Sequence, residues 1–213
     1  MRYLFILPLI AWTIAEMQGA WLNEPIQNPY CLIDNDISWL YVRGLLSNGN
    51  IDNNAIKTLN ETKALRLDRR IYINPTMKLN PEVIAEKLCN ELIKGLNEKF
   101  HIYVTALYDP NNWSNDPPKN IMFIEKLRDE IVGRKECFGS VNILSRKFDW
   151  EKLFGREYTQ FSSRVLIWHR TDGDTCDPSK FVPFGGWKRV DGIVYKHNTP
   201  LCGNNIDISC LLP

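Results

Sequence analysis

Two aspartates at the ends of predicted β-strands are the acids best placed to do chemistry. Asp109 follows the apolar run 101–107, and Asp207 lies within the late run 205–209. A carboxyl group that is held in position can donate or accept a proton during a reaction. We therefore take Asp109 and Asp207 as candidate catalytic residues. The alternative for Asp109 is an acid that only caps the turn after it.

Aromatic residues outnumber acids at the same strand ends. The candidates are Tyr108, Trp168 and Tyr195. Aromatic rings line many ligand sites, where they stack on the rings of the ligand, but they also fill ordinary cores. We take these three as candidate substrate-binding residues.

Other kinds of chemistry have little support. The chain contains no H-E-x-x-H, G-x-S-x-G, Walker loop or G-x-G-x-x-G motif. His169 lies near Asp172 and Asp174, but the segment 171–174 is typical of a polar turn. The sequence therefore predicts no metal site and no cofactor.

Strands and helices alternate along the chain, and this order positions the strand ends. Apolar runs predict strands over 38–44, 70–74, 101–107, 140–144, 164–168, 192–195 and 205–209, and helical spacing predicts helices over 52–67, 80–98, 116–132 and 150–154. Such alternation predicts an α/β fold with a parallel sheet, and the number of units favours an irregular (β/α) TIM-like barrel. Barrels of this kind carry their working residues at the carboxyl ends of the strands.

Length and composition are those of an ordinary globular domain. The 213 residues are 44% hydrophobic and 24% charged, which is enough to bury one core. The 26 basic and 25 acidic residues give a net charge of +1. Because this charge is spread along the chain, we expect no nucleic acid or anionic membrane as partner.

The first twenty residues have the parts of a secretory signal peptide. Arg2 precedes the apolar run 3–14, and small residues at Ala15 and Ala20 offer cleavage sites. The run is shorter than the ~20 residues that span a bilayer. We expect residues 1–20 to be removed, and a mature domain over 21–213 that is secreted, extracellular and free of the membrane.

The cysteines and two sequons fit that compartment. An even set remains in the mature chain: Cys31, Cys89, Cys137, Cys176, Cys202 and Cys210. In an exported protein this predicts three disulfides, in any of 15 connectivities. Asn60 and Asn112 begin Asn-x-Ser/Thr triplets and are candidate glycosylation sites.

Several segments together resemble a known family. They are FDWEKLFG (148–155), LIW (166–168), PFGGW (183–187), LCGNNID (201–207), PYCL (29–32), YVR (41–43), NWSND (112–116) and KNIMFI (119–124). In order and spacing they are similar to the nematode lysozymes related to glycoside hydrolase family 25. The resemblance covers roughly residues 29–209.

The resemblance implies a flattened β/α barrel whose active members hydrolyse bacterial cell-wall glycan. Their pattern is an aspartate on the first strand, an Asp-x-Glu at the end of a middle strand and an aspartate on the last. With Trp113 setting the register, the Asp-x-Glu falls on Ala106 and Tyr108, and neither is an acid. The segment 21–25 offers no first-strand aspartate, so that strand is shortened or missing. Asp207 alone matches the family pattern.

Three functions stay open on these residues. Glycoside cleavage needs one carboxyl to protonate the leaving oxygen and a second to stabilise the sugar carbon, and a positioned acid or base is worth about 10² to 10⁴ in rate. The first function is therefore a secreted lysozyme-like protein of innate antibacterial defence that binds cell-wall glycan with muramidase activity lost or very weak. The second is an active lysozyme with a rearranged acid pair, Asp109 and Asp207. The third is a non-catalytic barrel that binds another protein.

Overall fold

The fold is a barrel closed by eight strands in chain order. A computed structural model describes residues 17–212. The strands are β1 (Gln18–Leu22), β2 (Ile37–Leu45), β3 (Asp68–Ile73), β4 (Phe100–Ala106), β5 (Phe138–Ser145), β6 (Leu166–His169), β7 (Gly192–Leu201) and β8 (Asn204–Leu211). Neighbours from β1 to β7 run parallel, whereas β8 is antiparallel to both β7 and β1. The predicted α/β barrel is thus confirmed, with one reversed strand.

The first strand is present, although it is short. Strand β1 has five residues, and its Trp21 pairs with Tyr41 of β2 on one side and Asp207 of β8 on the other. The barrel therefore closes, and the first strand is shortened rather than missing. The predicted signal peptide falls largely on residues 1–16, outside the described residues. Cleavage after Ala20 would remove three of the five residues of β1, whereas cleavage after Ala15 would leave the strand whole.

Helices cover the outside of the barrel. They are α1 (Tyr30–Asp34), α2 (Asn53–Glu61), α3 (Pro81–Lys87), α4 (Pro117–Gly133) and α5 (Lys147–Phe154). Helix α2 begins where the Asp52 side chain accepts a hydrogen bond from the backbone of Asn54, which satisfies one free N–H of the first turn. The helix predicted over 80–98 is shorter than expected, because after Lys87 it continues as a π-turn over Leu88–Ile93 and a 3₁₀ turn over Lys94–Leu96.

Aromatic side chains fill the inside of the barrel. Trp21 stacks on Tyr41 with ring centroids 4.0 Å apart and meets the edge of Tyr103 at 6.2 Å. Arg70 donates hydrogen bonds to the hydroxyls of Tyr41 and Tyr103, and its guanidinium carbon lies 3.6 Å from the ring centre of Trp39. The lumen is therefore a packed core and not a channel.

Three disulfides join distant parts of the chain. They are Cys31–Cys202, Cys89–Cys137 and Cys176–Cys210. The predicted number is confirmed, and the structure supplies the connectivity. Among residues 17–212, no helix combines the length and the apolar character that crossing a bilayer requires.

Candidate functional site

A small cavity of about 160 Å³ opens at the carboxyl ends of the parallel strands. It is lined by Trp21, Asn23, Tyr72, Asn74, Thr105, Leu107, Leu144, His169, Val194, Asn198, Asn205 and Asp207. We call it the mouth cavity. A second cavity of about 170 Å³ shares Asn74, Thr105 and Leu107 with it and continues toward Asp109 and Trp113. The two together form a groove across the end of the barrel where such folds place their active sites.

Of the predicted site residues, Asp207 lines the mouth cavity, whereas the inward side chains of β4 are not the ones that the sequence predicted. On β4 and just after it, Thr105 and Leu107 face the cavity, whereas Ala106 is buried in the core outside the barrel. Because side chains alternate along a strand, a shift of one residue exchanges the two faces. Ala106 and Tyr108, the positions that the resemblance assigned to the Asp-x-Glu, do not line the mouth cavity. The inward residues of this strand end, Thr105 and Leu107, are not acids either.

The three predicted substrate-binding aromatics lie outside the mouth cavity. Trp168 meets the edge of Phe181 at 5.7 Å, and Tyr195 is buried in the outer core. Tyr108 packs against that core, lines only the second cavity and donates from its hydroxyl to Asn115 Oδ1 at 2.6 Å. Their chain neighbours Leu107, His169 and Val194 are the inward residues.

Asp109 caps a turn. Its Oδ1 accepts from the backbone N–H and the side-chain amide of Asn111, and its Oδ2 accepts from Nδ2 of Asn112 at 2.8 Å. Its backbone carbonyl accepts from Asn112 and Trp113. Asp109 lines the second cavity and Asp207 the mouth cavity, so the two candidate catalytic residues do not share one cavity.

Asp207 is held by two groups from strand β7. Its Oδ1 accepts from the backbone N–H of Asn198 at 2.9 Å, and its Oδ2 lies 3.2 Å from Nδ1 of His197. The pairing of β7 with β8 shifts between Val194 and Lys196 and again between Lys196 and Thr199. Bulges of this kind re-aim side chains, and here they turn His197 and Asn198 toward Asp207.

His169 completes this group from strand β6. Its ring centroid lies 4.9 Å from that of His197. Burial, followed by the neighbouring His197, lowers the pKa of His169 to about 4, so its ring is neutral at neutral pH. Its Nδ1 is buried and has no hydrogen-bond partner among the residues that the structure describes. The sequence around His169 predicted only a polar turn, and no sequence pattern singled out His197.

The two candidate glycosylation sites differ in exposure. Asn60 is exposed in the last turn of α2. Asn112 is buried, and its Nδ2, the atom that a glycan would occupy, donates to Asp109.

A larger cavity of about 460 Å³ lies beside Cys89, Asn90 and Cys137. These residues precede β4 and β5, so this cavity is at the amino-terminal end of the barrel, where residues serve stability rather than chemistry. We therefore place the candidate site at the mouth cavity despite its smaller volume.

Comparison with known proteins identifies the family. The model of the family described as Lysozyme-like protein 1 matches residues 24–193. The chain belongs to this lysozyme-like family. Lysozyme-like protein 3 of Caenorhabditis elegans is 31% identical over 186 residues, which cover 81% of this chain and 60% of that protein. Lysozyme-like protein 5 of the same organism is 27% identical, and the match covers 98% of this chain and 99% of that protein. The chain thus spans less than two thirds of the first relative and nearly all of the second.

Solved structures give the same fold. A muramidase from Acremonium alcalophilum superposes with a TM-score of 0.73 at 12% identity, covering 92% of this chain and 94% of that one. A family GH25 lysozyme from Aspergillus fumigatus gives 0.73 at 12% identity, covering 93% and 94%. The lysozyme-like chain therefore has a glycoside hydrolase family 25 type of fold, and the predicted kinship is confirmed.

Proposed function

We propose that this lysozyme-like protein binds cell-wall glycan at its barrel mouth and has lost muramidase activity or retains very little. One observation carries the proposal. Within residues 17–212, Asp207 is the single carboxylate among the residues that line the mouth cavity. Glycoside cleavage requires a pair of carboxyl groups flanking the scissile bond.

The inward positions on β1 and at the end of β4 do not replace the missing acids. Trp21, Thr105 and Leu107 occupy the inward face at β1 and β4, and an indole, a secondary alcohol and an alkyl chain do not donate protons at neutral pH. Both oxygens of Asp207 are already engaged. Its Oδ1 accepts a hydrogen bond from the backbone of Asn198, and its Oδ2 faces His197. We therefore expect the rate to fall by the 10² to 10⁴ that a positioned acid or base supplies, and by more where both are lost.

The groove keeps groups that suit a sugar chain. Four amide side chains line the mouth cavity, at Asn23, Asn74, Asn198 and Asn205. Amides both donate and accept hydrogen bonds, so they can pair with the hydroxyl and acetamido groups of a glycan. The cavity is small, but the second cavity extends it into a groove. These four neutral amides favour binding of an uncharged sugar segment.

One observation favours the second candidate, an active lysozyme that uses Asp109 and Asp207. The two aspartates line cavities that share Asn74, Thr105 and Leu107, so both border the same groove. For catalysis, Asp109 would have to release the two asparagine side chains that it now binds. We rank this candidate second because the capped turn stabilises Asp109 as an acceptor.

Secretion and a role in antibacterial defence complete the proposal. The three disulfides suit an oxidising compartment, and the N-terminal sequence has the parts of a signal peptide. Signal cleavage after Ala15 is the proposed boundary, because it keeps β1 whole.

Binding and cleavage are tested separately on the secreted, disulfide-bonded protein. We expect it to sediment with insoluble peptidoglycan and to leave a bacterial suspension turbid. Asn205→Trp places a large ring at the exposed rim of the mouth cavity and should reduce sedimentation at least tenfold. Asn90→Trp makes the same change at the opposite end of the barrel and should have no effect.

Two outcomes would overturn parts of the proposal. Clearing of the suspension that disappears in Asp109→Asn or Asp207→Asn would establish the active lysozyme. Failure to sediment with any wall glycan would instead favour the protein-binding barrel.

A further inference from the structure

We propose that His169, His197 and Asp207 form a binding site for a divalent transition-metal ion of the zinc type. Each of the three offers one ligand atom, and these atoms all lie within 4.8 Å of one another. The residues come from three strands, β6, β7 and β8, which the barrel brings together at the mouth. Imidazole nitrogens with one carboxylate are a donor set that suits zinc rather than magnesium or calcium.

The contacts of His197 point to a cation beside it. One ring nitrogen, Nε2, lies 2.7 Å from the carbonyl oxygen of Arg170, and the other, Nδ1, lies 3.2 Å from Oδ2 of Asp207. A carbonyl oxygen and an ionised carboxylate oxygen can only accept hydrogen bonds. A neutral imidazole has a single N–H, so one of the two contacts would set a lone pair against a lone pair. A metal ion held between Nδ1 of His197 and Oδ2 of Asp207 would satisfy both lone pairs.

The distances are also those of a metal site. Zinc binds nitrogen and carboxylate oxygen at about 2.0–2.2 Å, so two ligand atoms of a tetrahedral site are ~3.3 Å apart. The 3.2 Å between His197 Nδ1 and Asp207 Oδ2 matches this edge. The ring of His169 would have to approach by at most ~1.5 Å to complete the set.

Outer contacts already hold two of the three ligands in place. The Arg170 carbonyl accepts from the far nitrogen of His197, and the backbone N–H of Asn198 donates to the far oxygen of Asp207. Partners of this type fix the orientation and tautomer of metal ligands. Asn198 has a positive φ of 49°, so the local backbone is shaped to direct both groups to one point. His169 and Asp207 also line the mouth cavity, so a water or ligand oxygen from the cavity would supply the fourth ligand of a tetrahedral site.

Metal binding is measured on untagged, disulfide-intact protein after treatment with EDTA and removal of the chelator. We expect calorimetry to give one Zn²⁺ per chain, and Co²⁺ to develop the visible absorption of a tetrahedral site. Saturating Zn²⁺, at ~100 times the dissociation constant, should raise the melting temperature by ~5–10 °C. His197→Gln should weaken Zn²⁺ binding at least 100-fold.

The chain supplies a matched control in its third histidine. His101 lies at the start of β4, at the other end of the barrel, where its Nδ1 contacts Ser140 Oγ at 2.8 Å. His101→Gln should bind Zn²⁺ as the unchanged protein does. His197 is the primary variant because its side chain is 29% exposed, so its replacement should leave the protein folded, as circular dichroism will verify.

Two results would overturn the metal site. One is the absence of Zn²⁺ binding at millimolar concentration, and the other is binding that His197→Gln and His101→Gln alter equally. The site does not depend on the proposed glycan function. Zinc is titrated without glycan, and sedimentation with glycan is repeated in EDTA, so either proposal can fail alone.

Discussion

Replacing Trp21 tests whether the first strand closes the barrel. Trp21 is only 6% exposed, stacks on Tyr41 at 4.0 Å, and donates from Nε1 to Ser209 Oγ at 3.0 Å. Trp21→Ala removes the stacked ring, and truncation of a buried tryptophan lowers the free energy of unfolding by about 3–5 kcal/mol. In a domain of this size 1 kcal/mol shifts the melting temperature by ~2–4 °C. We therefore expect a fall of ~6–20 °C.

Two further variants serve as comparisons for the loss of stability in Trp21→Ala. Trp21→Phe keeps an aromatic ring on Tyr41 and loses the indole hydrogen bond, so it should lower the free energy of unfolding by only ~1–2 kcal/mol. Phe148→Ala removes a ring that is 70% exposed on α5, and it should change stability by less than ~0.5 kcal/mol. Urea denaturation and thermal melting measure all three. A Trp21→Ala protein that melts within 2 °C of the unchanged chain would refute the placement of β1 in the barrel.

Three other predictions follow from the described contacts. Mass spectrometry of the secreted protein should find Glu16 as its first residue, and a chain that begins at Trp21 would contradict the five-residue β1. In a eukaryotic secretory host, Asn60→Gln should abolish the glycosidase-sensitive gel shift, whereas a shift that persists and maps to Asn112 would contradict the burial of that side chain. Arg70→Ala leaves the hydroxyls of Tyr41 and Tyr103 without their donor and should lower the free energy of unfolding by ~2–4 kcal/mol. An unchanged urea midpoint would show that these hydrogen bonds add no stability.

The periodicity of the sequence predicted the barrel because each strand is an apolar run bounded by polar turns. It did not predict β1, since residues 18–20 fall within the predicted signal peptide 1–20 and leave only two residues of the strand outside it. The helix predicted over 80–98 was longer than the α-helix observed, which ends at Lys87. Apolar spacing continues through Leu96, but the backbone changes to π and 3₁₀ turns after Lys87.

The composition of the site was harder to predict than the fold. Alternation gives two faces, yet which face points inward depends on where the turn after the strand begins. A turn at Asp109–Trp113 separates β4 from Trp113, so the position of Trp113 did not fix which residues of β4 point inward. Asp207 was found because it matches the family pattern and lies within the predicted strand 205–209.

His197 could not be found from periodicity. The prediction ended the strand at Tyr195, whereas β7 continues to Leu201 through two irregular pairings. A regular strand would have placed His197 on the same face as Tyr195, away from Asp207. The approach of His169 to His197 is a long-range contact across β6 and β7, which spacing along the chain does not encode.

The most direct test of binding without cleavage uses a single tube of purified, insoluble peptidoglycan. After incubation with the secreted protein, the pellet is assayed for bound protein and the supernatant for soluble muropeptides. We predict protein in the pellet and muropeptides at the level of the buffer control. Soluble muropeptides that rise with time and vanish in Asp207→Asn would contradict the loss of catalysis.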